Sequence, residues 1–447
     1  MGTRILIPSG ALGLGYDKAA LERAVAEKPD LIAIDGGSTD SGPSYLGRGV
    51  SKYATESTKI EWQGLIEARA AAGCPLVIGT AGTCGTDSTV DWLYDITLEI
   101  LSDLGQSAKI ARVYSEQDPA KIAQTPLSPL SAAPDVDADT IQNCTHIVAL
   151  AGAEQIQTAL DTGAEIIIAG RTTDTAIIAA LPLQNGNHAG AAWHGAKIGE
   201  CGALCATNPQ SGVILVDFDD TGFTVTPMAD GAKATPHTVS AHMLYENSDP
   251  FILFEPGGHL DVTQATYTAI DDVAVRVTGS QWVPSDTYTV KLEGAQIAGY
   301  QTILMALLRD AHYVANAQIW CDDIMAKHAS KVADRLGLDA ATWHAELRII
   351  GQNANLGTLE QRTSDATELG VLAILTAPDQ ATANTLGKMM NPYLLHHPLT
   401  QEEEQPTFAF PFSPAEIDRG AAYEFVLHHV MALADPMDAF RLVVTDV

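Results

Sequence analysis

Over the first 210 residues, short apolar runs alternate with longer segments of helical spacing. The runs RILIP (4–8), LIAID (31–35), PLVIG (75–79), AKIARVY (108–114), HIVAL (146–150) and EIIIAG (165–170) are built mainly from β-branched and aliphatic residues. Runs this short, with no polar position every second residue, predict parallel strands buried on both faces. Between them, DKAALERAVAEK (17–28) and the stretches at about 56–72, 88–104 and 153–162 carry apolar residues at helical intervals, and Pro29 with Asp30 ends the first. The βαβ alternation predicts an α/β fold with a mostly parallel doubly wound sheet over residues 1–210. The Pro- and Asp-rich stretch QTPLSPLSAAPDVDAD (124–139) reads as a loop or boundary insert.

Beyond Cys205 the period shortens to two: VILVDF, FTVTPM, AVRVTG and TYTVKLE fit antiparallel strands, with DDTG at 219–222 as a hairpin turn. A second, α+β domain is therefore expected over 211–447, with antiparallel strands at about 211–295, helices at about 298–337, a strand-strand-helix unit at about 345–395 and an extended C-terminal tail. The domain over 1–210 is expected to hold the substrate.

The chain has 447 residues, 46% of them hydrophobic, enough to bury a large core. With 55 acidic against 25 basic residues its formal net charge is −30, which argues against nucleic acid as a partner and against anionic membranes. No apolar run approaches the roughly 18 residues that span a bilayer. The opening MGTRILIPSG leads directly into a strand, so a soluble cytoplasmic protein is expected. In that setting the six cysteines read as free thiols.

Candidate chemistry sits where the predicted strands end, since ligands of open α/β sheets bind outside the carboxyl ends of the strands. After the second strand come Asp35, Gly36, Gly37, Ser38, Thr39 and Asp40; the glycines allow close backbone approach and the hydroxyls adaptable hydrogen bonds. Thr80, Ala81, Gly82 and Thr83 follow the third strand, and their backbone amides are candidates to hold an anionic group. AGRTTDT (169–175) adds Arg171, a fork for a substrate carboxylate, with Thr172, Thr173 and Asp174; Asp174 can hold Arg171 or accept a proton. KIGECGALC (197–205) offers Glu200, as acid, base or hard-cation ligand, beside Cys201. Asp35, Asp40, Asp174 and Glu200 are the candidate catalytic carboxylates, and a bridging Mg²⁺ suits such a set.

Other patterns carry less. GALGLG (10–15) reverses the dinucleotide spacing, and GTAGTCGTD (79–87) lacks the Gly-Lys-Ser/Thr ending of a phosphate loop. Cys201 and Cys205 suggest zinc only weakly, with no second pair and no histidine cluster at ligand spacing. His259 near Asp261 and Tyr267, and the pairs His396–His397 and His428–His429, read as structural.

Taken in order, IDGGSTD, TAGTCGTD, EIIIAGRTTDTAIIAALPL, IGECGALC, TVSAHMLYENSDPFILFEPGGHLDVTQATY and DTYTVKLEGAQIAGYQT resemble the acyclic terpene utilisation family of the AtuA type. The resemblance implies a bacterial catabolic protein acting in the breakdown of acyclic terpenes or branched acids through acyl-CoA chemistry, accompanied by a small partner protein. Where the family often carries Gly-Arg-Cys-x-Asp, this chain has Thr172 in place of the thiol while keeping Arg171 and Asp174. Three readings follow. The first is a hydratase, lyase or isomerase that adds or removes water, or moves a proton, next to a carboxylate or thioester. The second is an acyl-ligand-binding subunit that needs a partner, and the third a hydrolase with Cys201 as nucleophile. A homo-oligomer is expected.

Overall fold

The βαβ run forms, and its order explains where the site lies. In the computed structural model, which describes residues 2–130 and 135–447, the parallel strands are β1 (Thr3–Ile7), β2 (Leu31–Asp35), β3 (Leu76–Gly79) and β4 (Lys109–Tyr114), followed after an interval by Ile166–Ala169. That last strand pairs in parallel with both β3 and β4, so it fills a gap left between them. Crossovers of parallel strands are right-handed. The steps from β1 to β4 therefore place α1 (Lys18–Ala26), α2 (Thr55–Ala72) and α3 (Asp87–Leu104) on one face. The return step from β4 places α4 (Ala153–Asp161) on the other, where α5 (Ala176–Gln184) and α6 (Ala189–Gly199) join it.

Alternate residues of each strand enter opposite cores. Ile32, Ile34, Leu76, Ile78, Ile166 and Ile168 pack with Leu21, Trp62, Leu65, Leu93 and Ile100 of the first helical layer. Leu31, Ala33, Val77, Ile167 and Ala169 pack with Ile156, Ile177, Trp193 and Ile198 of the second. Apolar residues on both faces are what the unbroken runs demand, and the fold is α/β with a doubly wound parallel centre.

The antiparallel strands build onto this same sheet. Its ten strands run Thr266–Ala269, Val275–Thr278, Gly222–Pro227, Ile214–Phe218, β1, β2, β3, Ile166–Ala169, β4 and Arg441–Asp446. Asp219 makes the expected hairpin turn, its side chain accepting from the backbone of Thr221 and Gly222. Two expectations need correction, and two more gain detail. HIVAL is a strand, but His146–Ala149 pairs antiparallel with Leu292–Ala295 and lies outside the parallel set. Residues 298–308 are not helical: they continue the strand Tyr288–Leu308, and helix begins only at Ala311. The C-terminal tail holds the long strand Ile417–Leu433 and an edge strand of the large sheet. Of the insert 124–139, residues 131–134 lie outside those described, while Ser128–Pro129 pairs with His429 and Val430.

The compact units do not divide at residue 210. One comprises residues 1–296 and 425–447, the other 297–424. The second has its own core, with Trp320, Ile324, Leu386 and Met390 of two helices against Val371, Ala373 and Leu375. Among the described residues no helix is long and apolar enough to cross a membrane.

Candidate active site

The loops that follow β2, β3 and Ile166–Ala169 lie side by side because their backbones are laced together. Gly36 N–H donates to the Gly79 carbonyl (2.7 Å), Thr80 N–H to Gly170 (2.8 Å) and Ala81 N–H to Ala169 (3.0 Å). The approach is close enough to require glycine: a Cβ on Gly36 would stand 2.3 Å from the Thr80 carbonyl oxygen, and one on Gly85 would stand 2.2 Å from the Arg171 nitrogen. Thr80 and Thr83 hold φ of 46° and 77°, a conformation costly for β-branched residues that persists only where the surroundings impose it.

Arg171 is the knot of this arrangement. Its side chain is 7% exposed and donates to Glu293 (Nε to Oε2, 3.1 Å; Nη2 to Oε1, 3.5 Å), to Thr80 Oγ1 (3.2 Å), to the Thr172 carbonyl (3.1 Å) and to Thr39 Oγ1 (3.4 Å). Asp174 lies 3.6 Å away, the ion pair its spacing allowed. Lys291 and Thr39 also donate to Glu293. Burial opposes the charge on Glu293, but Arg171 and Lys291 outweigh it and pull the carboxyl down to about 2. A guanidinium held this way is a tie between loops and not the open fork for a substrate carboxylate that its residue type suggests. Three of the four amides proposed to hold an anion are likewise engaged, since Thr80, Ala81 and Thr83 donate theirs to backbone carbonyls.

Above the tie lies a cavity of about 750 Å³ at the carboxyl ends of the strands. Of the residues singled out in the sequence, Asp35, Gly37, Ser38, Asp40, Asp174 and Cys201 line it. Gly36, Thr39, Thr80, Ala81, Gly82, Thr83, Arg171, Thr172 and Thr173 do not. Thr172 in particular is wholly buried. Glu200 sits one residue behind the wall, its side chain 5% exposed and bonded to Lys197.

The wall is acidic below and apolar above. Asp35 is buried; Gly37 N–H donates to its Oδ2 (3.1 Å), while Oδ1 has no hydrogen-bond partner. Burial pushes its carboxyl well above the ordinary range, Asp174 adds to this, and Arg171 opposes it. Asp174 rises as well, driven by burial against the pull of Arg171 and Lys197. Burial lifts Glu200 to about 8, against Lys197, and lifts Glu255, held by Thr175 Oγ1, to about 7. Leu14, Leu204 and Tyr245, all exposed, form the apolar wall, with Lys52 and Glu246 beside them. The Cys201 thiol is pushed up by burial and then by Glu200 and Asp174, so it stays protonated near neutral pH. That environment does not suit a nucleophile.

The model of "Acyclic terpene utilisation family protein AtuA" matches residues 53–410. The chain belongs to this family. As an AtuA-family protein it falls among proteins of acyclic terpene utilisation. The match takes in Arg171, Asp174, Glu200 and Cys201 and begins after Asp35 and Asp40. No curated protein and no solved structure matches the chain.

Several residues of this AtuA-family site have no local signature in the sequence. Glu293 and Lys291 stand two apart on the polar side of a strand, a pattern that ordinarily marks a solvated face. Lys197 is the exception: three residues before Glu200 on a helix, it was legible as a partner. Glu255, Glu246 and His242 reach the site only through the chain's return.

Proposed function

We propose that this AtuA-family protein is a catabolic enzyme that moves a proton next to the carbonyl of an acyclic or branched carboxylate or acyl-CoA, most simply in hydration and dehydration. The observation that carries the reading is Asp35. It is a buried carboxyl at the end of a strand, with one oxygen lacking a protein partner and with the cavity in front of it. A carboxyl whose surroundings disfavour its charge can hold a proton near neutral pH and deliver it in the transition state.

In dehydration, Asp35 gives its proton to the departing hydroxyl, which leaves as water. Asp174 takes the proton from the carbon next to the carbonyl, and the electron pair of that C–H bond becomes the double bond. Hydration runs the same steps in reverse. Leu14, Leu204 and Tyr245 cover the hydrocarbon chain, and Lys52 is the cavity-lining cation for an anionic end. Arg171 acts through other groups, by holding the loops that carry Asp174 and Thr39 and by opposing the rise of Asp35.

The test is exchange of the α-proton with D₂O, followed by NMR, over a panel of branched 3-hydroxy acids and their CoA thioesters. Wild type exchanges, Asp174→Asn loses about 10²–10⁴-fold of the exchange rate, and Asp35→Asn loses a similar factor in the elimination of water followed in the same spectra, with binding retained. Elimination undiminished in Asp35→Asn refutes the assignment. Binding without exchange by wild type makes the chain an acyl-ligand-binding subunit instead.

A further inference from the structure

Cys201 has a neighbour that its sequence surroundings do not announce. Cys205, the nearby thiol, is wholly buried and contacts the Gly202 carbonyl at 3.6 Å, so the two cysteines are not a ligand pair. Across the wall stands His242, which follows the short helix Pro236–Ala241. One ligand atom each from Glu200, Cys201 and His242 lies within 4.8 Å of the other two. Among the described residues this is the one such group of three or more. Among the described residues Asp35, Asp40 and Asp174 form no such group.

We propose that Glu200, Cys201 and His242 form a three-ligand site for a borderline-soft divalent cation, represented by Zn²⁺, with its remaining position facing the cavity. Three observations support it. His242 is 5% exposed and its Nε2 is buried with no hydrogen-bond partner, a loss of about 1–3 kcal/mol unless something binds there. A thiol, an imidazole and a carboxylate are the donor types that zinc accepts, whereas Mg²⁺ and Ca²⁺ take oxygen. Tetrahedral bonds of about 2.0–2.3 Å put ligand atoms about 3.5 Å apart, so closing the set takes only a small side-chain adjustment.

The surroundings also orient the ligands. Lys197 donates to Oε1 of Glu200, the arrangement by which an outer partner fixes a metal-binding carboxylate. Cys201 is the member of the three that lines the cavity, so an ion bound here would stand beside Asp174 and the ligand space. Binding would release the thiol proton, leaving thiolate and carboxylate to balance the ion. The inference does not depend on the proposed proton transfer, and its readout is binding.

Full-length protein, freed of metal with a chelator, is titrated with Zn²⁺ against a chromophoric competitor, and in parallel with Co²⁺ to observe the thiolate-to-cobalt charge-transfer band. One equivalent binds, Cys201→Ser abolishes the band, and His242→Gln weakens binding at least about tenfold, while Cys205→Ser leaves both unchanged. Circular dichroism and melting verify that each variant is folded. Where Cys201→Ser folds poorly, Glu200→Gln supplies the same test through a shifted cobalt spectrum. Failure of wild type to bind one equivalent, or binding that survives Cys201→Ser and His242→Gln, overturns the site.

Discussion

Arg171→Ala is expected to cost the fold more than it costs ligand recognition. The guanidinium donates to Glu293, Thr80, Thr39 and the Thr172 carbonyl, and it pairs with Asp174. Its loss leaves the Glu293 carboxylate, 2% exposed, with only Lys291 and Thr39 for support. Removing one partner of a buried ion pair costs about 3–5 kcal/mol, because the remaining charge keeps its desolvation penalty. Arg171→Lys recovers only part of this, since one ammonium cannot span the same acceptors. Replacing both partners, Arg171→Met with Glu293→Leu, is expected to cost less than Arg171→Ala alone. Urea unfolding followed by tryptophan fluorescence measures this, because Trp62, Trp92, Trp193 and Trp282 all lie in the first compact unit. A stability loss below about 1 kcal/mol, with affinity for an anionic ligand abolished, would falsify the structural role and restore the residue as a substrate fork.

Acid is expected to remove two separate contributions to stability. Burial pulls His194 from 6.5 down to about 3, so between these values the unfolded chain takes up a proton that the folded chain refuses. The His194 contribution is complete above pH 6.5 and is lost below it, while the raised carboxyls of Glu200 and Glu255 act in the opposite sense, so His194→Gln should shift the change in melting temperature between pH 6.5 and 4.5 toward acid stabilisation relative to wild type; an unchanged slope rejects the assignment. Glu293, depressed from 4.5 to about 2, contributes stability above pH 4.5 that is lost as pH falls toward 2, about 3 kcal/mol in all. Glu293→Gln should lower stability at pH 7 and lessen the dependence below pH 4.5, as titration of the melting point will show. Gly85→Ala, at φ 66° and with its Cβ directed at the Arg171 nitrogen, should destabilise by about 2–4 kcal/mol in the same urea assay; near-wild-type stability would mean that the loops can separate.

The parallel strands, their helices and the family were legible in the sequence because each depends on local patterning: LIAID and EIIIAG are apolar on both faces, and helix α3 (Asp87–Leu104) begins within a residue of its expected start. The pattern failed where a segment's fate depends on its pairing partner. HIVAL is as apolar as its neighbours yet pairs with Leu292–Ala295, and YQTILMALL satisfies a helical spacing while continuing a strand against Leu369–Ala377. The convergence of Asp35 and Asp174 followed from strand order, whereas the task of Arg171 did not. Residue type states what a guanidinium can bind, and only the tertiary structure decided that Glu293, 122 positions away, occupies it. Burial has the same origin: the sequence places carboxylates at strand ends, but which of them lose water, and so hold their protons, depends on atoms delivered by distant parts of the chain.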